Sequence, residues 1–430
     1  MDENQKISFL GKHFGGTMKA LIVGIVFLYS ISVFGEPNYC HFDSAKQADF
    51  KNQIELEQQQ QWQQLISTEK LFRDPATQYA HRLFTRLTGL PASESDPIFF
   101  QVKRLIKRKR FFEAALLITD DPNFLQIRML NFAAPFTTGS PRVPFDDLQA
   151  LIIGITRDEL DARLILTGDI RYQGYSNLGL PRPSLQNNDH YRAFAENQHS
   201  FLNDLQRVDD QWEDLEVASG AFTTHAWADA HYFEDTNRRA VAHSFEAFLC
   251  SPIEQWKTRG APDGFVRRDV DRAPGGVPAT YQNHCRSCHG MMDGMGGAFA
   301  RMDYLDDQFK YLKDSVASKM NQNPMVYPLG FAVTDDYWVN QLDYNKALDF
   351  GWRSEKKGFG VQAYGKMLAN SKAFSQCMVR KTFKEVCGPH ALDKGAEHLE
   401  ALTNYFETND YNLKQLFAQV ASHSACLSHP

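Results

Sequence analysis

Long apolar runs are largely missing from this chain of 430 residues. Beyond the first 35 residues, no segment approaches the roughly 20 consecutive apolar residues that a membrane-spanning helix needs. An excess of positive charge is missing as well, because 46 Lys and Arg stand against 52 Asp and Glu, a formal net charge of −6. We therefore expect no permanent membrane span, and without a basic stripe we expect no nucleic-acid partner.

Signatures of familiar enzyme classes are absent too. The sequence has no Ser, His and Asp in the order of a catalytic triad, no nucleotide-binding loop and no paired metal-binding His motif. We therefore predict no catalytic residue. The acidic pairs Asp209-Asp210 and Asp306-Asp307 are expected to be solvated rather than catalytic. The basic cluster from Lys103 to Arg110 is expected to be a solvated helix face, the alternative being a docking patch for an acidic partner.

Cysteine is scarce, with seven in the chain, yet two of the seven belong to one motif. Cys285 and Cys288 are three positions apart, and His289 follows at once. With this spacing each thiol can form a thioether with one vinyl group of a haem, while the adjacent imidazole ligates the iron. We expect one covalently attached haem c, with His289 as the proximal iron ligand.

Three other interpretations of the motif are a disulfide between Cys285 and Cys288, a redox-active pair, and half of a zinc site. A zinc site needs a second pair of ligands, and Cys377 and Cys387 do not have suitable spacing. A thioredoxin-like pair should follow a strand, whereas residues 272–280, rich in Pro and Gly, are typical of a loop. Haem attachment fits the motif better than these alternatives.

The N-terminus has the pattern of an export signal. Met18 and Lys19 precede an apolar run from Ala20 to Phe34 that is too short for a membrane anchor, and Gly35 offers a small residue for cleavage. We interpret residues 1–35 as a removed signal peptide. Asp2 and Glu3 do not fit the basic leader of a signal peptide, so the physiological start is predicted at Met18. The mature protein is then periplasmic or secreted.

Helical patterns dominate the rest. Apolar residues from Tyr79 to Leu87 recur at helical spacing and end at Gly89-Leu90-Pro91. Thr156 to Glu159 has the form of a capping box, which predicts a helix that starts there and closes at Gly168. Residues 173–190 are predicted to be a loop. Four later helices are predicted over Asn237 to Leu249, Phe374 to Phe383 with a stop at Gly388-Pro389, Leu399 to Phe406, and Leu413 to Val420.

The residues after the motif bear on how a haem is held. Gly290, Gly294, Gly296 and Gly297 provide backbone that can approach a flat ligand closely. For the sixth iron position, Met291, Met292 and Met295 follow His289 too closely to reach around the porphyrin. Met325, in an extended loop beside two prolines, is our candidate. The competing residues are Met320, His225, His231 and His243.

The other five cysteines are Cys40, Cys250, Cys377, Cys387 and Cys426. Their number is odd, so at least one thiol stays unpaired. One or two disulfides are expected in an oxidising compartment, and one candidate pair joins Cys387 to Cys426. Buried free thiols are the alternative, since connectivity does not follow from sequence.

The segment from His284 to Phe299 resembles the haem motif of large exported bacterial cytochrome-c-like proteins built from domains of unknown function. The helix from Thr236 to Pro252 is similar to one that precedes their motif, and the stretch from Phe374 to Gly388 is similar to their closing domain. The resemblance covers roughly residues 220 to 425, although Gly294 and Gly297 replace their usual Pro and Phe. It implies haem, export, a redox partner protein and dependence on covalent haem-attachment machinery, but no particular reaction.

The sequence thus predicts a mainly α-helical protein of several units. These are a polar tether or helix over 36–70, an N-terminal helical domain over 71–215, a cytochrome c-like haem domain over 216–370, and a helical unit over 371–430. The expected function is electron transfer by a mono-haem c-type cytochrome. The alternatives are a haem-dependent oxidoreductase, an accessory protein for an extracytoplasmic enzyme, and a scaffold with structural haem.

Overall fold

Helices dominate the structure, as the sequence predicts. The structure is a computed structural model, and it describes residues 74–137, 143–213, 215–234, 236–256, 260–344, 348–388 and 396–427. The predicted signal peptide, the 36–70 segment and Cys40 lie outside these residues. None of the helices in the described ranges is long and apolar enough to cross a membrane.

Helices recur along the described residues, and the connections between them range from a few residues to several dozen. Two π-helical turns interrupt the series, at Phe124–Met129 and Tyr281–Cys285. The α-helices are α1 Pro75–Thr88, α2 Pro97–Lys107, α3 Phe111–Ile118, α4 Leu130–Ala133, α5 Asp147–Arg157, α6 Leu164–Thr167, α7 Asp189–Glu196, α8 His225–His231, α9 Arg238–Leu249, α10 Pro278–Thr280, α11 Arg286–Met295, α12 Gly360–Ala369, α13 Lys372–Cys387, α14 Ala396–Thr408, α15 Leu413–Ser422 and α16 Ser424–Leu427.

Strands contribute three small antiparallel pairs. Strand β1 Ile170–Gly174 pairs with β2 Leu205–Asp209, β3 Met302–Leu305 with β4 Gln308–Tyr311, and β5 Tyr337–Val339 with β6 Lys357–Phe359. The last two hairpins follow α11 in the chain.

Helix α1 contains the predicted apolar pattern and ends where the sequence predicts. The Asp74 carboxylate accepts a hydrogen bond from the Ala76 amide, which satisfies one of the free donors at the helix start. Gly89 ends the helix with φ of 78°, a left-handed conformation that glycine adopts without the steric cost of a side chain. Leu83, Phe84 and Leu87 are buried.

The predicted helix start at Thr156 is wrong. Thr156 lies in the last turn of α5, and its hydroxyl donates to the Ile152 carbonyl rather than to a helix start. The capping box that the structure uses lies ten residues earlier, where Asp146 and Gln149 each accept from the other's backbone amide. The reason is burial, because a start at Asp146 buries almost the whole apolar run from Leu148 to Ile155.

Two disulfides tie the C-terminal helices together. Cys250, just past α9, is bonded to Cys377 in α13, and Cys387 at the end of α13 is bonded to Cys426 in α16. The second bond confirms the pairing proposed from the sequence. The predicted helices over Asn237 to Leu249, Phe374 to Phe383, Leu399 to Phe406 and Leu413 to Val420 are confirmed as α9, α13, α14 and α15.

One hydrophobic core runs from α1 to the last helices, within a unit that spans Phe72–Pro430. Aromatic rings form its centre. The Phe222 ring lies 5.0 Å from Trp227 and 5.4 Å from Phe299, measured between centroids, and Tyr364 lies 5.1 Å from Phe299. Because Phe299 comes four residues after α11, this cluster holds the C-terminal end of that helix in the core.

Replacing Cys250 and Cys377 together by Ser should lower the free energy of unfolding by about 3–5 kcal/mol. The bond closes a loop with a sequence separation of 127, and cross-links over long loops restrict the unfolded chain most. Urea unfolding of the variant and of the wild-type protein, each with and without reductant, measures the loss. Equal unfolding free energies without reductant would contradict the bond.

The buried Asp146-Asp147 pair predicts a second stability effect. Burial, together with the neighbouring carboxylate, raises the pKa of Asp146 from 3.8 to about 7. The folded chain therefore favours the protonated acid, whereas the unfolded chain ionises it near pH 4. Stability from this group is complete below about pH 4 and is lost as the pH rises toward about 7, by about 1.4 kcal/mol for each unit of pKa difference.

Asp146→Asn keeps a capping side chain but removes this titration, so its unfolding free energy should fall less between about pH 4 and pH 7. Urea unfolding at several pH values measures the slope, with exposed Asp209→Asn as the matched control. The same slope in wild type and Asp146→Asn would refute the prediction.

Candidate haem-attachment site

The three motif residues lie at the start of one helix. The π-helical turn Tyr281–Cys285 runs directly into α11, so Cys285, Cys288 and His289 are spaced three and four positions apart on continuous helical backbone. Residues at that spacing share a helix face. All three are partly buried. A single rigid element thus presents two thiols and one imidazole toward the same side.

The cysteines of the motif differ from the other cysteines that the structure describes. Cys285 and Cys288 are both thiols, whereas the other four described cysteines are disulfide-bonded. The zinc alternative loses its remaining ligands, because Cys377 and Cys387 are both engaged in those bonds. The motif is preceded by α10 and a π-helical turn rather than by a strand, which is unlike a thioredoxin-type pair.

The His289 ring is oriented by a carboxylate one turn further along α11. Its Nδ1 lies 3.3 Å from Oδ1 of Asp293. A carboxylate accepts hydrogen bonds, so the proton belongs on Nδ1, and the Nε2 lone pair is the one directed away from this contact. This is the tautomer that an iron-ligating histidine needs, and it is usually fixed by such a partner.

Asp293 is itself held by several donors. Its side chain is fully buried, and it accepts hydrogen bonds from Arg238 Nε at 2.7 Å, Arg238 Nη2 at 2.9 Å and the Arg267 amide at 3.1 Å. Burial alone would raise the pKa of Asp293, but the bonds from His289 and Arg238 and the charge of Arg267 hold it well below its usual value. The carboxylate is therefore ionised.

Apolar side chains pack against the first cysteine of the motif. Cys285 packs against a small cluster of Val266, Val270 and Tyr281. The loop over 323–331 runs beside that cluster, since the amides of Tyr327 and Phe331 donate to the carbonyls of Arg268 and Val266 at 2.8 and 2.9 Å. On this loop Met325 is 80% exposed and Leu329 is 87% exposed. Apolar surface left open beside the cluster that packs on Cys285 fits a hydrophobic prosthetic group.

The glycines after the motif serve a different purpose from the one expected. A side chain on Gly290 would strike the Pro262 carbonyl, one on Gly297 would strike the Tyr337 carbonyl, and one on Gly294 would lie 2.9 Å from the Val339 carbonyl. These glycines let the backbone of neighbouring segments approach α11. They are buried against protein, so the expectation of contact with a flat ligand is wrong for these three.

The methionines considered for the sixth iron position differ in how exposed their side chains are. Met291 and Met295 are fully buried in the main core, and Met320 is fully buried in a separate small cluster. Met325 is exposed, on the loop that borders the Cys285 cluster. Among the methionines that the sequence singled out, Met325 keeps its sulfur accessible to a ligand.

The competing histidines have other partners. A ring nitrogen of His225 lies 3.1 Å from the Leu185 carbonyl, one of His231 lies 2.7 Å from the Thr137 carbonyl, and one of His243 lies 3.1 Å from the Phe136 carbonyl. His225 also lines a polar cavity of about 240 Å³ to which no residue of the Cys285–His289 motif contributes. All three are better explained as packed histidines of the fold.

The acidic pairs and the basic cluster that were expected to be solvated are largely exposed. Asp209, Asp210, Asp306 and Asp307 are exposed. In the basic cluster from Lys103 to Arg110, Arg104 and residues 107–110 are exposed and Lys103 is partly buried, but only Lys103, Arg104 and Lys107 lie in α2. Lys103 and Lys107 pair with Asp74 at 3.1 and 3.2 Å.

Sequence reasoning missed Asp293 and Arg238 as members of the site. The position of Asp293, four residues after a candidate ligand on one helix, was a usable signal. Arg238 lies 55 residues before Asp293, and no local pattern marks their contact.

Comparison of the chain with models of known protein families, with curated proteins and with solved structures gave no match.

Proposed function

We propose that this protein is an exported mono-haem c-type cytochrome that transfers electrons. The observation that carries the proposal is the motif itself. Cys285 and Cys288 both carry thiols, lie one helical turn apart, and stand beside a histidine whose Nδ1 contacts a carboxylate. The zinc and thioredoxin-like alternatives have less support, because Cys377 and Cys387 are disulfide-bonded and helical turns rather than a strand precede the motif.

Each residue has a definite part in the proposal. The Sγ atoms of Cys285 and Cys288 would form the two thioethers, and Nε2 of His289 would be the proximal ligand. Bound haem supplies a one-electron Fe(II)/Fe(III) couple. The protein contributes a rigid helix that fixes all three attachment atoms, and an apolar border that limits water at the cofactor.

Export is supported by two independent features. The apolar run from Ala20 to Phe34 suits a signal peptide, and two disulfides among the described residues suit an oxidising compartment. We propose that the mature chain resides in the periplasm or outside the cell. There it would depend on the machinery that attaches haem to Cys-x-x-Cys-His motifs, and it would exchange electrons with a partner protein.

We assign the segment 216–370 as a cytochrome c-like unit, on the strength of the motif and of the resemblance over residues 220 to 425. In this assignment α9 and α11 would support the haem, and the loop over 323–331 would contribute a further contact to it. Met325 on that loop is the proposed sixth ligand. A six-coordinate iron with Met and His ligands suits electron transfer, whereas an open position would favour the oxidoreductase alternative.

Replacing Cys285 and Cys288 together by Ser should abolish covalent haem completely. No other pair of cysteines in the chain has this spacing before a histidine. Haem staining of the denatured protein, produced in a host that attaches haem c, measures the effect. Ser287→Ala, between the two cysteines, is the matched control and should keep its stain. Stain that persists in the double variant would refute the attachment sites.

Replacing Met325 by Ala should leave the sixth coordination position of the haem iron without a protein ligand. The reduced wild-type protein should resist carbon monoxide, whereas the variant should bind it at least about tenfold more tightly, because no internal ligand competes. Optical titration measures both affinities. Leu329→Ala, an exposed apolar neighbour on the same loop, is the control and should behave as wild type. Ready binding by wild type would favour the oxidoreductase alternative.

A further inference from the structure

Asp293 is the one fully buried carboxylate in direct contact with the candidate proximal ligand among the described residues. We propose that Asp293 is a positioning residue for His289, and that its negative charge makes Nε2 a stronger donor and so stabilises ferric over ferrous iron. This inference rests on the proposed haem attachment. It goes beyond that attachment by assigning the residue that sets the reduction potential.

The geometry ties donor and acceptor to one rigid element. His289 and Asp293 are four residues apart on α11, so the same helical turn fixes both ends of the 3.3 Å contact. Both residues lie within the helix, which ends at Met295. The His289 ring is therefore held by the helix that carries the two cysteines, and its orientation does not depend on a flexible loop.

The carboxylate is fixed from the opposite side as well. Arg238, the first residue of α9, donates to both oxygens of Asp293 and to both oxygens of Asp269, the latter at 2.6 and 2.9 Å. Its side chain is 11% exposed. An arginine clamped between two carboxylates has little freedom to turn, so Asp293 keeps its position relative to the ring.

The effect on the iron follows from the acceptor's charge. A carboxylate draws the Nδ1 proton more strongly than a neutral carbonyl does, which leaves more electron density on Nε2. That density favours the more positive iron. Two arginines, Arg238 and Arg267, lie near Asp293 and Asp269, so the charges of the group balance. The hydrogen bond to the ring, rather than net charge, is therefore what distinguishes Asp293.

The test is the midpoint potential of Asp293→Asn. The amide has the same shape and its oxygen still accepts from Nδ1, but the acceptor is neutral. We expect the reduction equilibrium to move toward ferrous iron by at least about tenfold, which is about 59 mV for one electron. An unchanged potential in the haem-loaded variant would overturn the role of Asp293.

Asp269→Asn is the matched control. It removes the same unit charge from the same arginine but does not touch His289, so its shift should be much smaller. An equal shift in both variants would mean that net charge near the haem acts, and the proposed hydrogen-bond effect would be rejected.

A measurement on the unaltered protein keeps the proposal testable if Asp293→Asn fails to fold. In the reduced wild-type protein, NMR should find the His289 Nδ1 proton shifted downfield and slow to exchange, as expected for a buried bond to a carboxylate. Rapid exchange would contradict it. Absence of covalent haem from the wild-type chain would overturn both the proposed function and this inference, whereas haem with an unshifted variant potential would overturn this inference alone.

Discussion

The buried ion pair between Arg238 and Asp293 is the constraint on which the site depends. It joins the first residue of α9 to α11, and through the Arg267 amide it also holds the segment that packs against Cys285. Charges this deeply buried are stable only while paired, and removal of one partner from such a pair typically costs about 3–5 kcal/mol. The orientation of α11, and with it the face that carries the motif, is therefore tied to the fold rather than to local sequence.

Much of the helical framework was predictable, because its signals are local. Gly89 and Gly388 mark the ends of α1 and α13, and the apolar spacing of the last helices survives unchanged in the structure. The error at Thr156 shows the limit of such signals. A capping pattern occurs there by chance, while the real start at Asp146 is decided by how much of the following apolar run the core accepts. Similarly, the disulfide between Cys387 and Cys426 was predicted from the sequence, whereas the bond from Cys250 to Cys377 follows only from the packing of α9 on α13.

In the candidate site, too, some residues are marked by local sequence signals and others are brought in only by tertiary packing. Cys285, Cys288 and His289 are defined by spacing alone, so the sequence predicts them directly. The partner of His289 is also local, whereas Arg238 reaches Asp293 only through the tertiary fold. The glycines after the motif were misjudged because a sequence does not reveal whether close approach serves a ligand or a neighbouring strand. Met325 stays a prediction, supported by its exposure on the adjoining loop.

In the proposed site, one haem bridges Cys285 and Cys288 by thioether bonds. Arg286 lies between these cysteines, so trypsin cuts the chain between them. The decisive measurement is mass analysis of tryptic peptides from protein purified from its native host, after full reduction. If haem is attached as proposed, the peptides carrying Cys285 and Cys288 stay joined as one species that includes the mass of one haem. Two separate peptides with unmodified thiols would contradict it.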